Sequence, residues 1–206
     1  MINLLFVIIF FLAVTNALSQ SEVKIGNQVW MTKNLDVDRF RNGDLIPEVK
    51  NAKQWEKAAK NKKAVFCIYE YDSKNGKVYG KLYNWYAVND PRGLAPNGYH
   101  IPSDAEWTVL TDFLEGEFEA GEKLKSTNGW SNGGNGDNSS GFNGLPGGSC
   151  YYNGNFYFIT VYGYFWSSSE SRTDSAWSRG LYYNTTGVHR HPTDKGAGLS
   201  VRCIKD

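Results

Sequence analysis

The sequence predicts an α+β fold: short strands, two helices, a long loop, then an antiparallel run of strands. Three stretches carry that reading. "HIPSDAEWTVLTDFLEG" places Ser103 and Glu106 at the spacing of a helix capping box, and Trp107, Leu110 and Leu114 recur along one helical face. "NGWSNGGNGDNSSGFNGLPGGS" is too rich in Gly and Asn for a packed element and reads as one long loop. "CYYNGNFYF" reads as a hairpin turning at Asn153–Gly154.

The remaining elements follow in chain order. Residues 4–14 are an unbroken apolar run, too short for a comfortable membrane span and of the right length for a signal peptide. Cleavage after residue 19 leaves a mature domain over 20–206; the competing expectation is an uncleaved anchor. No Lys or Arg precedes the run, and no cysteine lies near the cleavage point to carry a lipid. "EVKIGNQVWMTKNL" is a hairpin expected to turn Val23, Ile25, Val29 and Met31 to one side. "NAKQWEKAAKNKK" has helix formers around Trp55, with its lysines on a solvated face. "AVFCIYEYD" reads as a strand ending in a turn at Ser73–Gly76, and "KVYGKLYNWYAV" fits strand and helix equally. "EAGEKLKS" is a second short helix with Leu124 inward. "VYGYFWSS", "SAWSRGLYY", "VHRH" and "GLSVRCIK" supply the later strands, with Trp166 and Trp177 in the core. The polar connection Ser168–Ser175 is expected to be wet, and Glu170, Arg172, Asp174 and Arg179 to pair across it.

The 206 residues carry 22 basic and 21 acidic side chains, a net charge of +1. That balance gives no basic stripe for nucleic acid. The 7 Trp, 13 Tyr and 11 Phe with 22 Gly suit short strands, long turns and a core of large rings. Three cysteines, Cys67, Cys150 and Cys203, allow any one of three pairings or none. With three histidines, they match no zinc spacing. His189 and His191 share a strand face, but two ligands are too few for a catalytic metal. "WSSSE" lacks the turn that exposes a hydrolase serine.

"GKLYNWYAV", "GLAPNGYHIPSDAEW", "AGEKLKS", "SGFNGLPGGS", "FWSSSE", "AWSRGL" and "GLSVRCIKD" stand in the order typical of the Fibrobacter succinogenes major paralogous domain family, which the chain resembles from Val23 to Asp206. The resemblance implies a C-type-lectin-like fold related to the formylglycine-generating, sulfatase-modifying group: two helices flanking a twisted antiparallel sheet, with long irregular loops and neighbouring chain ends. The family usually has Cys where this chain has Ala95, and Trp where it has Tyr99. If that cysteine bridges to the position of Cys203, the bridge is lost here, and Cys150 or Cys67 could substitute.

The resemblance implies an exported lectin-like module that binds a polysaccharide or a protein at or outside the cell surface, without catalysis. The alternatives are a divergent enzyme of the formylglycine-generating group and a structural adhesion component. The paired copper-binding cysteines of those enzymes are absent. Trp130, in the long loop, is the candidate stacking platform for sugar. Asn135, Asp137 and Asn138 offer oxygen ligands that suit a structural calcium; apart from that option no cofactor is expected. Glu170 and Arg172, at the tip of the FWSSSE hairpin, are candidate contributors to the binding surface. No nucleic-acid partner is expected, and no membrane span once the signal is removed.

Overall fold

The computed structural model describes residues 21–206, so the signal peptide expected over residues 1–19 lies outside them. β1 (Glu22–Ile25) and β2 (Gln28–Met31) form the first hairpin around Gly26 and Asn27. Its register pairs Val23 with Trp30 and Ile25 with Gln28. Cross-strand partners share a face, so Val29 and Met31 lie opposite Val23 and Ile25, not beside them as expected. The two-residue turn reverses the parity, and the hairpin buries both sides: Trp30 in one cluster, Met31 in another.

α1 (Ala52–Lys60) starts at Asn51, whose side chain accepts Gln54 N–H. It buries Trp55 and Ala58 and leaves Lys53, Lys57 and Lys60 in solvent. β3 is only Phe66–Cys67, followed by a 3₁₀ turn at Tyr69–Tyr71. The expected turn at Ser73–Gly76 is instead α2 (Ser73–Tyr79). Asp72 caps it by accepting Lys74 N–H at 2.9 Å, the N-cap chemistry that favours Asp. The ambiguous stretch after it holds both structures in succession, β4 (Leu82–Asn84) and α3 (Trp85–Val88). Asn84 makes the change of direction: its Oδ1 accepts the N–H groups of Val65 and Ala87.

β5 (Tyr99–His100) leads into α4 (Asp104–Phe113), where the capping box forms as read. α5 (Ala120–Leu124) follows, with Leu124 buried. Then come β6 (Gly147–Cys150), β7 (Phe156–Ile159), β8 (Tyr162–Glu170), β9 (Ser175–Tyr182), β10 (Val188–Asp194), β11 (Gly198–Leu199) and β12 (Ile204–Lys205). One sheet runs β1-β2-β12-β5 and so holds the first described strand near the last. The other runs β10-β9-β8-β6-β11-β4-β3, with β7 on β6. Its strand pairs are antiparallel except β6 with β8, which meet in parallel at Gly148 and Gly163. The result is a mixed α/β domain dominated by sheet.

α4 and α5 pack on one side of β8 and β9. Trp107 lies 4.9 Å from the Trp30 ring and 5.8 Å from Phe142. Burying one such side chain contributes about 1.5–3 kcal/mol. Arg202 is fully buried beside them, its guanidinium 4.3 Å from the Phe142 ring centre. It donates to the carbonyls of Met31, Phe142 and Asn143 and to Asn34 Oδ1. Burial pushes its pKa down to about 9. Those acceptors offset part of the desolvation cost and tie the second strand, the long loop and the C-terminal segment together.

Candidate functional site

Trp130 is not a platform. It is 5% exposed, and its indole N–H donates to Ser126 Oγ at 3.0 Å. The loop folds the ring inward against Gly163, onto the cluster that holds Trp107. The three calcium candidates serve the same loop. Asn135 Oδ1 accepts Trp130 N–H, Asp137 Oδ1 accepts Ser139 N–H, and Asn138 Oδ1 accepts Asn143 N–H. These are side-chain turns that hold irregular backbone. Asn138 and Asn143 themselves sit at positive φ, which Asn tolerates.

The hairpin tip also differs from expectation. Glu170 pairs with Lys195 at 2.8 Å rather than with a neighbour on the tip. Arg179 is buried and pairs with Asp104 at 2.6 Å, and Arg190 joins the same carboxylate at 2.8 Å. Burial alone would raise Asp104; the two guanidiniums outweigh it and hold the carboxyl below its usual range. Arg172 is exposed, and among the described residues no ion pair includes it. Trp177 is half-buried beneath the Arg190 guanidinium, 3.2 Å from its ring centre, not in the core. The serines are not merely wet: Ser167 is buried, Ser168 N–H donates to Pro102 O, and Ser169 Oγ accepts Asp104 N–H. They dock the start of α4. Cys203 is buried in the cluster that contains Ala95, apart from the cluster of Cys67 and Cys150, so neither of those stands in for the missing partner.

The other face of the same strands is aromatic. Side chains alternate along a strand. On β8 and β9, Phe165 and Leu181 point to α4, while Tyr162, Tyr164 and Tyr182 point away. His189 and His191 of β10 join them opposite Gly180 and Ser178. Gly180 makes the crowding possible: a Cβ there would lie 2.8 Å from the Tyr182 ring and 3.3 Å from Tyr164. β6 and β7 extend the strip. Its ring centres run Tyr151–Tyr157 (4.5 Å), Tyr157–Phe158 (5.8 Å), Phe158–Tyr162 (4.7 Å), Tyr162–Tyr182 (4.3 Å) and Tyr182–His189 (4.3 Å). His189 and His191 then stack at 6.0 Å. Tyr151, Tyr152, Tyr157 and Phe158 are exposed. Phe158 has φ 70°, a conformation that strains a bulky side chain and is kept in a residue whose ring lies at the surface.

Beside this strip is a cleft of about 360 Å³, lined among others by Tyr151, Tyr164, Tyr182, His191 and Thr193. Ser149 also lines it. Its Oγ is buried, and among the described residues it has no hydrogen-bond partner. An unpaired buried hydroxyl is costly; among the described residues the only other side-chain atom so left is Arg202 Nε, in the core. The cleft shares Tyr152 and Asp194 with a second of about 630 Å³, whose walls include Trp85, Tyr86, Lys60, Lys62 and Glu170. Of the six residues singled out from the sequence, Glu170 alone reaches either cleft.

The strip is close to neutral. Burial pushes His189 down, and burial with the neighbouring histidine does the same to His191. Burial raises the phenols of Tyr164 and Tyr182. Tyr182 Oη and His191 Nε2 lie 2.6 Å apart, so the rings hold one another in place. Among the described residues, no group of three His, Cys, Asp or Glu side chains is set to hold a metal ion. None of the described helices is long and apolar enough to cross a membrane.

Residues 23–205 match the Fibrobacter succinogenes major domain. The chain belongs to that family. No curated protein and no solved structure matches it. The motifs that carried the family resemblance are structural joints of this major domain. In "KLYNWYAV", Tyr83 O receives the Trp166 indole and Trp85 gives its own to Ser167 O. In "HIPSDAEW", Trp107 donates to Trp166 O. "GLSVRC" supplies Arg202. The rings of the aromatic strip lie in the stretches between those motifs. The sequence signal available for them was strand alternation, with Tyr162 and Tyr164 on one parity and Phe165 on the other.

Proposed function

We propose that this major domain is an exported binding module that holds a neutral, hydroxyl-rich polysaccharide at or outside the cell surface. The observation that carries the reading is the unbroken strip of rings from Tyr151 to His191, beside a cleft floored by an unpartnered serine hydroxyl. Aromatic faces carry partial negative charge. The C–H groups on a sugar ring carry partial positive charge, so the two stack. Tyrosine adds a hydroxyl at the rim and loses little conformational freedom on binding. Contiguous exposed apolar surface of this kind marks interaction sites. The near-neutral strip favours an uncharged glycan over a polyanion. The lectin-like fold implied by the family resemblance agrees with a binder rather than an enzyme. The reading needs no cofactor.

The test is affinity electrophoresis of the exported protein through gels containing neutral β-glucan, xylan or mannan, beside a polyuronate. At least one neutral polymer should retard it. Tyr182→Ala should weaken that retardation roughly tenfold, equivalent to about 1.4 kcal/mol, with the melting temperature little changed. Retardation by none of the neutral polymers would overturn the reading, as would an unaffected Tyr182→Ala variant.

A further inference from the structure

Cys67 closes β3 and Cys150 closes β6, with β4 and β11 between them in the sheet order. The chain beyond Cys67 closes that gap. Tyr69 packs on Gly148, where an added Cβ would lie 2.7 Å from the tyrosine ring, and its hydroxyl accepts Ile159 N–H at 3.4 Å. The rings of Tyr69 and Tyr71 lie 5.0 Å and 4.8 Å from Phe156, the cross-strand partner of Cys150. Over Gly198, opposite Cys150 on β11, the Trp55 ring takes the space: an added Cβ would lie 2.8 Å from that ring and 3.2 Å from Cys150 Cβ. The two cysteines share one core cluster with Trp55 and Leu82, and neither is exposed. Both are free thiols in this structure, and the Cys67 thiol is pushed well up by burial first and then by the Cys150 side chain.

We infer that Cys67 and Cys150 join as a disulfide when the chain folds under oxidising conditions, while Cys203 stays a free buried thiol. The oxidant is a small or protein disulfide. One cysteine thiolate attacks it and releases the first thiol. The second cysteine thiolate then attacks the mixed disulfide and releases the other. Two protein S–H bonds are lost and one S–S bond forms; the two electrons and two protons end on the two released thiols. Reaction belongs to folding, because the closed core bars an oxidant from both sulfurs. The bond spans about 80 residues and so removes much freedom from the unfolded chain. It is independent of the glycan reading.

The full chain, denatured and reduced, is refolded in a mixture of oxidised and reduced glutathione. Free thiols are alkylated in denaturant and the digest is mapped by mass spectrometry without reductant. The expected result is one linked pair of peptides carrying Cys67 and Cys150, about 2 Da lighter than their sum, with Cys203 alkylated. The oxidised protein should melt roughly 10 °C above the reduced protein. That gap should vanish in Cys67→Ser/Cys150→Ser and persist in Cys203→Ser. All three cysteines alkylated, a bridge to Cys203, or equal melting with and without reductant would each overturn the inference.

Discussion

In the Asn/Gly loop, the side-chain oxygens of Asn135, Asp137 and Asn138 already accept backbone N–H groups. On the tyrosine face, Ser149 Oγ accepts and donates nothing among the described residues, and four exposed rings surround its strand. The loop is long, polar and irregular, the form in which recognition is usually sought. Yet those three oxygens serve to hold the loop, and its tryptophan is a core residue. The strands look like framework, yet they carry the open surface. For the proposed glycan site, the exposed rings and the unpaired hydroxyl are the guide, not irregularity of the backbone.

Truncating the two regions should separate them. Trp130→Ala should cost about 3–5 kcal/mol, the value for a large buried ring, measured by urea denaturation. The folded fraction should still bind glycan with wild-type affinity. A stable variant that has lost binding would reverse the assignment of loop and face. Ser149→Ala sharpens it from the other side. Removing a buried hydroxyl with no partner should leave stability within about 0.5 kcal/mol of wild type or raise it. It should weaken glycan binding several-fold, measured by titration calorimetry. A large loss of stability would show that the hydroxyl serves the fold instead.

The smallest effect lies outside both regions and provides a control. His100 Nδ1 meets Asp206 and Nε2 meets Glu106, each at 2.8 Å, between the C-terminus and the capping box of α4. Burial lowers its pKa, but the hydrogen bonds to the two carboxylates outweigh it, so the folded value is raised above 6.5. The stabilisation is then full below the unfolded pKa of about 6.5 and is lost as pH rises through the folded value. His100→Asn should lower the melting temperature at about pH 5.5 and have little effect above about pH 8.5. His189 and His191 are shifted downward, so their protonation in acid opposes folding and leaves glycan binding strongest near neutrality.

Much of the fold was legible because its signals are local. The capping box of Ser103 and Glu106 and the hairpin centred on Asn153 involve side chains and backbone only a few residues apart. α2 was missed because its signal is one residue earlier: Asp72 as a cap makes a helix of a stretch that otherwise reads as a turn. The first hairpin was placed but its faces were assigned wrongly, since a two-residue turn pairs odd positions with even ones. The site was barely legible. Glu170 reached a cleft wall, but its partner Lys195 comes from just past the end of β10, and Arg179 finds Asp104 on another element.

By itself, then, the sequence determined most of the strand and helix order, the family and the aromatic content, because periodicity, caps and motif order are properties of neighbours along the chain. The tertiary structure alone decided that Trp130 is inside, that the tyrosines of three strands and the histidines of a fourth form one surface, and that Cys67 and Cys150 share one core cluster. Each of those depends on strand register and on which segment returns to cover another, and both are fixed only when the whole core closes.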